Sequence, residues 1–254
     1  MPNMNALTEV PRKDLHVFYV LDTSGSMWGT KIDTLNRAMN ETVEALKELA
    51  EKNGDANLKI AVLEFNSGCR WITDGGPEEM EDFTYEDLHA DGLTDMGMAL
   101  KELNSKLSRH AFLDSMTGAL MPVIIFMTDG YATDNYAGAL EEIRKNRWFR
   151  RGTKIGFALG DNADVKMISS VVGNSEAVIK TTDMDLFRKL MRFVSVTSSM
   201  LVSQSATTDT SYSGADIIKK VDDLPKDVVV HLSDTDYNKE PEAVVDGDWD
   251  EADW

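Results

Sequence analysis

The feature that most limits what this chain can fold into is a series of short, almost uninterrupted apolar runs separated by stretches of helical periodicity. Residues 15–21 (LHVFYVL) form the first run, as expected of a strand covered on both faces inside a parallel sheet. Apolar side chains then recur at three- and four-residue steps through Ile32, Leu35, Met39, Val43, Leu46 and Leu49, with Asn53-Gly54 as a stop signal. Residues 58–65 (LKIAVLEF), the turn-prone Asn66-Ser67-Gly68 and residues 69–73 (CRWIT) read as a hairpin whose second arm is an antiparallel edge strand. Alternation then resumes. A helix is marked by Met96, Leu100, Leu103 and Leu107, a strand by residues 121–127 (MPVIIFM), and a helix by Tyr136, Leu140 and Ile143. Residues 153–159 (TKIGFAL) form a strand, Asp164 caps a short helix ending near Gly173, and residues 177–180 (AVIK) precede a helix from Asp183. The pattern predicts an α/β fold: a doubly wound, mostly parallel, six-stranded Rossmann-like sheet with one antiparallel edge strand.

A chain of 254 residues, 42% of them hydrophobic, can bury a full core, and single α/β domains often use about 200 residues. The expected division is an N-terminal extension (1–13), a domain (14–203), and a polar linker with an acidic tail (204–254). Helical character weakens where Ser, Thr and β-branched residues accumulate in 195–203, and residues 203–214 (SQSATTDTSYSG) read as a linker. The net charge of −18 is concentrated at the end, because residues 209–254 carry 14 acidic and 4 basic residues. That balance argues against a phosphate-backbone partner, so no nucleic acid is expected. No early stretch offers the roughly 18 apolar residues of a membrane span, and Met1 to Lys13 lacks the layout of a signal peptide. A cytoplasmic protein without a membrane partner is expected. Cys69 is alone, which excludes an intrachain disulfide, and His16, His89, His110 and His231 are too scattered for a readable zinc cluster.

Ligands of open α/β sheets gather outside the carboxyl ends of the strands, where strand order reverses. Three loops leave such ends with matching chemistry: Asp22-Thr23-Ser24-Gly25-Ser26, Thr94 within Gly92-Leu93-Thr94-Asp95, and Asp129 within Thr128-Asp129-Gly130. Hydroxyls and two carboxylates suit Mg²⁺, a small hard cation that prefers oxygen ligands and keeps several waters. Gly25 is expected to supply backbone angles that a Cβ would resist. The set resembles the metal-ion-dependent adhesion site of von Willebrand factor A (VWA) domains. The resemblance covers roughly residues 15–203 and implies that Ser24, Ser26 and Thr94 contact the metal directly, with Asp22 and Asp129 acting largely through water. It implies Mg²⁺, with Mn²⁺ or Ca²⁺ as alternatives, and an open position for an Asp or Glu of a protein partner. Few charged ligands leave such an ion electrophilic toward that carboxylate. Among branches, the compact form looks similar to the bacterial tellurium-resistance-associated, TerY-like proteins. That resemblance implies a scaffold in a stress, tellurium-resistance-like or phage-conflict system, with a kinase or phosphatase of the same operon as partner. The acidic tail, of this or a neighbouring copy, is a further carboxylate source.

Each element also has a plainer reading. Asp22-Thr23-Ser24-Gly25-Ser26 makes a turn and cap, Thr94 an N-cap, and Asp129 a solvated loop residue. Asp95 and Asp134 read as caps of the helices that follow them. Trp28 and Met27 are open to either a rim or a core position, Cys69 reads as a packing residue, and Arg147, Arg150 and Arg151 as a solvated helix end. The competing activity is a Mg²⁺-dependent phosphatase or phosphotransferase with Asp22 as nucleophile. That chemistry wants a second acid two residues on, where Ser24 stands, and a lysine motif to steady phosphoryl charge. A non-enzymatic binding role is the expectation.

Overall fold

The computed structural model describes residues 11–73, 76–207 and 210–220. Strand β1 (Lys13–Asp22) is buried along nearly its whole length and lies between two parallel neighbours, β2 (Ala56–Asn66) and β5 (Val123–Thr128). Burial on both faces is why its sequence shows a continuous apolar run and no alternation. The main order is β3-β2-β1-β5-β6-β7, with β3 (Gly68–Trp71) antiparallel to β2 at the edge, and β6 (Thr153–Leu159) and β7 (Val178–Thr181) parallel beyond β5. A seventh strand absent from the sequence reading, β4 (Glu78–Glu79), pairs antiparallel with β2. Its two residues are too few to give a periodic signal.

Helices cover the sheet. α1 (Thr30–Lys52) turns Ile32, Leu35, Met39, Val43 and Leu46 inward and ends at Asn53, as its spacing predicts. α2 (Met96–Lys106), α3 (Ala137–Lys145), a short α4 (Arg147–Arg151) and α5 (Val165–Val172) follow, α5 capped by the Asp164 carboxylate and closed by Gly173 at φ 84°. α6 (Met184–Gln204) starts at the Asp183 cap and packs against α1. It continues through the serine-rich segment where weakening was expected. Ser195, Ser198, Ser199 and Ser203 are buried there: Ser198 Oγ donates to the Ser195 carbonyl at 3.2 Å, and Ser203 Oγ accepts from Asn53 Nδ2 at 2.8 Å. Ser198 thus bonds back to its own helix, and the small size of these side chains allows close packing despite poor intrinsic propensity.

The packed structure also runs past the boundary expected at Ser203. α7 (Gly214–Lys219), held by a reciprocal Ser213–Asp216 capping box, buries Ile217 and Ile218 against the domain. Gly214 is required by proximity, since a Cβ there would fall 1.9 Å from the Lys154 carbonyl oxygen. Residues 221–254, which carry most of the acidic end, lie outside the described residues. Among the described residues, no helix is long and apolar enough to cross a membrane.

One polar residue inside β1 carries a testable cost. His16 is buried with Nδ1 unpartnered among the described residues, and burial pushes its pKa down from 6.5 to about 4; Asp14 opposes this and Lys59 adds to it. The fold therefore holds neutral imidazole, whereas the unfolded chain gains a proton below about pH 6.5. Stability from this group is complete above pH 6.5 and is lost as pH falls toward 4, by roughly 3 kcal/mol in all. Urea unfolding between pH 7 and 4 should show that loss in the wild type and a flatter profile for His16→Leu. Parallel profiles would contradict it.

Candidate metal centre

The chain places β2 on one side of β1 and β5 on the other, so the strand order reverses at the β1–β5 seam. Asp22 ends β1 and Thr128 ends β5; because Leu21 pairs with Met127, the two termini lie side by side. Thr128 Oγ1 donates to Asp22 Oδ2 at 2.5 Å, and the Ser24 backbone N–H donates to Asp22 Oδ1 at 2.8 Å. Both carboxylate oxygens are thus engaged, in a residue with no solvent exposure. Burial pushes the Asp22 carboxyl above the usual carboxylate range; the hydrogen bonds from Ser24 and Thr128 oppose the shift, and the neighbouring Asp129 charge adds to it.

From Asp22 a chain of contacts crosses the loop. Ser24 Oγ and Ser26 Oγ are 3.0 Å apart, and Ser26 Oγ donates to Asp129 Oδ1 at 2.7 Å. Gly25 stands between them in the 3-10 turn Gly25–Met27. It is not among the glycines with left-handed φ, so the expected reason for it is corrected. A Cβ there would lie 3.2 Å from the Gly92 carbonyl oxygen, which accepts the Gly25 N–H at 3.0 Å. Glycine is needed for close approach of the second loop.

That second loop is fastened from both sides. Asp91 N–H donates to the Thr23 carbonyl at 2.9 Å, and Asp95 N–H to the Asn66 carbonyl at 2.9 Å. Thr94 N–H donates to Thr133 Oγ1 at 2.9 Å while the Thr133 N–H donates to the Thr94 carbonyl at 2.9 Å. Thr94 is consequently buried and fixed by its backbone, and its hydroxyl makes no hydrogen bond with the described residues. Four of the five expected site residues, Asp22, Ser24, Ser26 and Asp129, are joined by direct bonds; Thr94 bonds to none of them, and its loop is tied to theirs by the Gly25–Gly92 and Asp91–Thr23 backbone bonds.

The capping expectations change. Asp95 makes no cap bond to its own helix, and its carboxylate accepts, among the described residues, a long 3.4 Å bond from Thr133. Asp134 instead caps α2 from across the site, accepting from Gly97 N–H at 3.0 Å and Met98 N–H at 3.1 Å. Loops two and three are therefore tied together by residues whose partners are far apart in sequence. Met27 is in the core and Trp28 is 80% exposed. Cys69 is half-buried, and burial pushes its thiol up, which suits a packing residue and opposes an activated thiolate.

Sequence reasoning missed Lys31. Its ammonium ion-pairs with Asp129 Oδ2 and donates to the Ser26 carbonyl at 3.3 Å. The signal was present: a lysine in the first turn of a helix opposes the helix dipole, so a nearby acid was to be sought.

The donor set fits a hard divalent cation. Ser24, Ser26 and Thr94 offer hydroxyl oxygens, and of the two buried acids Asp22 and Asp129 only Asp129 is paired with a lysine among the described residues, a charge imbalance that such an ion would relieve. Among the described residues there is no group of three or more His, Cys, Asp and Glu side chains able to hold a metal. A site here must rest on hydroxyls.

Comparison with known proteins gives the same frame. The model of the von Willebrand factor type A domain matches residues 16–193. Human inter-alpha-trypsin inhibitor heavy chain H6 is 27% identical over 175 residues, 63% of this chain and 12% of that protein. The chain thus corresponds to about an eighth of that relative. Among solved structures, a von Willebrand factor type A protein from Catenulispora acidiphila is 20% identical with a TM-score of 0.54, covering 74% of this chain and 43% of the other. Proximal thread matrix protein 1 from the mussel byssus, with a zinc-occupied MIDAS motif, is 14% identical with a TM-score of 0.52, covering 74% and 48%. The PilB minor pilin of Streptococcus sanguinis is 14% identical with a TM-score of 0.53, covering 76% and 62%.

Proposed function

Because the chain belongs to the von Willebrand factor type A domain family, whose members often mediate metal-dependent protein–protein interaction, we propose that it grips a carboxylate of a partner protein through one bound Mg²⁺. The observation that carries this reading is the meeting of Ser24, Ser26, Asp22 and Asp129, with the loop that carries Thr94 tied to theirs by the Gly25–Gly92 and Asp91–Thr23 backbone bonds and the Thr94 hydroxyl without a hydrogen bond among the described residues. Ser24, Ser26 and Thr94 would hold the ion, with Asp22 and Asp129 supporting it. When bound, the ion supplies an electrophilic position for an incoming Asp or Glu. Mn²⁺ or Ca²⁺ could serve in its place.

The protein's own residues supply the docking face. Each of the three loops projects a large apolar side chain beside its polar one: Trp28 at 80% exposure, Leu93 at 57% and Tyr131 at 64%. An apolar rim around a polar centre is the layout of a protein interface, where aromatic anchors exclude water from the charged contact. Asp22 is buried with both oxygens engaged, which favours this reading over a phosphoryl-transfer enzyme that would need it as a nucleophile.

The finer placement, a cytoplasmic scaffold of the TerY-like branch serving a stress, tellurium-resistance-like or phage-conflict system with a kinase or phosphatase partner, rests on the motif resemblance alone. We also read the interaction domain, expected from sequence as 14–203, as extending through α7, and the acidic end as a spacer or competing carboxylate source. Capture of a partner from cell extract should occur with Mg²⁺ and be lost in EDTA. Ser26→Ala should lose capture while costing only about 1 kcal/mol of stability, the worth of its hydrogen bonds. Capture indifferent to both changes would sink the reading.

A further inference from the structure

Lys31 stands where it opposes two expectations at once. It lies in the first turn of α1, where the helix dipole disfavours a cation, and it occupies one oxygen of an acid that the metal reading requires. The Asp129 side chain has no exposure, so without a counter-charge its ionised form would be buried and uncompensated. Its two oxygens divide their partners: Oδ1 takes the Ser26 hydroxyl and Oδ2 the Lys31 ammonium. The lysine side chain is 33% exposed, and a four-carbon stem ending in a strongly hydrated ammonium can swing to water at small cost.

We propose that Lys31 is a built-in counter-cation of this site, neutralising Asp129 in the metal-free protein and having to withdraw before a divalent ion can bind. The inference rests on the metal reading above and adds a setting of affinity to it. An ammonium and a divalent cation repel each other at one carboxylate, so the ion meets a competent site only in the fraction of molecules with Lys31 turned out. Apparent affinity falls by that fraction; if the open form is about one molecule in ten, the loss is about tenfold. The same contact keeps the metal-free site from carrying two adjacent uncompensated acids. Lys31 is a positioning and affinity-setting residue, and it touches no partner in this scheme.

Mg²⁺ titration by calorimetry, together with thermal unfolding in EDTA, on the full chain and its Lys31→Met and Lys31→Arg variants tests this. Lys31→Met should bind Mg²⁺ about tenfold more tightly. It should also unfold at a lower temperature in EDTA and recover when Mg²⁺ is saturating. Lys31→Arg keeps the charge and should remain near the wild type in EDTA. Unchanged or weakened Mg²⁺ affinity in Lys31→Met, with wild-type binding intact, overturns this proposal and leaves the metal reading standing. Absence of Mg²⁺ binding in both proteins overturns the two together. Binding by Lys31→Met alone supports the counter-cation role in its strongest form, while showing that the wild-type site holds lysine in place of metal. If Lys31→Met does not fold in EDTA, Lys31→Gln, which retains a donor, gives the same affinity comparison.

Discussion

Thr94→Ala is expected to weaken Mg²⁺ binding by at least about a hundredfold while the fold persists, on the scale by which even supporting residues of metal sites matter. The separation is possible because the residue's structural and chemical duties fall on different atoms. Its backbone N–H and carbonyl exchange 2.9 Å bonds with Thr133, and Ala keeps both. Its hydroxyl bonds to none of the described residues, so removing it breaks no protein hydrogen bond and costs about 1 kcal/mol in lost packing at most. Mg²⁺ should therefore raise the unfolding temperature of the wild type and leave that of Thr94→Ala unmoved, since a ligand stabilises only the state that binds it. Thr94→Ser should restore the response. A Thr94→Ala protein that binds Mg²⁺ like the wild type would remove Thr94 from the site.

The second large effect concerns the sheet that positions these loops. Gly156 lies mid-strand in β6, paired with Phe126 on one side and Val178 on the other. A Cβ there would lie 2.3 Å from Cγ2 of Ile168 on α5 and 3.4 Å from Cγ1 of Val172. A branched core side chain cannot yield that distance by rotating its tip, so α5 must lift from the sheet. Gly156→Ala should cost about 3 kcal/mol, a fall in melting temperature of roughly 6–12 °C for a domain of this size. Adding Ile168→Ala removes the obstructing methyl, and the double variant should be less destabilised than the sum of the singles. Strict additivity in calorimetric unfolding would refute the clash as the cause.

Much of this architecture is legible because burial writes directly into residue type. β1, β5 and β6 are covered on both faces, and residues 15–21, 121–127 and 153–159 are correspondingly apolar except at His16, Thr153 and Lys154. α1 presents one buried stripe, and its apolar residues recur at the helical spacing. The chemistry of the three loops could be read in the same way, since strand ends next to Asp, Ser and Thr are local facts. What misled was also local. Ser and Thr in 195–203 lower helix propensity, but tertiary packing of α6 against α1 outweighs it. Asp134 precedes its own helix in sequence and caps α2 in space.

The sequence by itself therefore determined the order of the longer strands and helices, though neither β4 nor α7, and which oxygen-bearing residues stand at the strand ends. Both follow from side-chain hydrophobicity and from turn chemistry acting over a few residues. Tertiary structure alone decided that β1 is flanked by β2 and β5, so that Asp22 and Asp129 share one seam. It decided that Thr94 is held by Thr133 with its hydroxyl unbonded among the described residues, and that Lys31 reaches the acid 98 residues away. These relations depend on which loops converge, and convergence is set by the whole packed sheet rather than by any segment's own preferences.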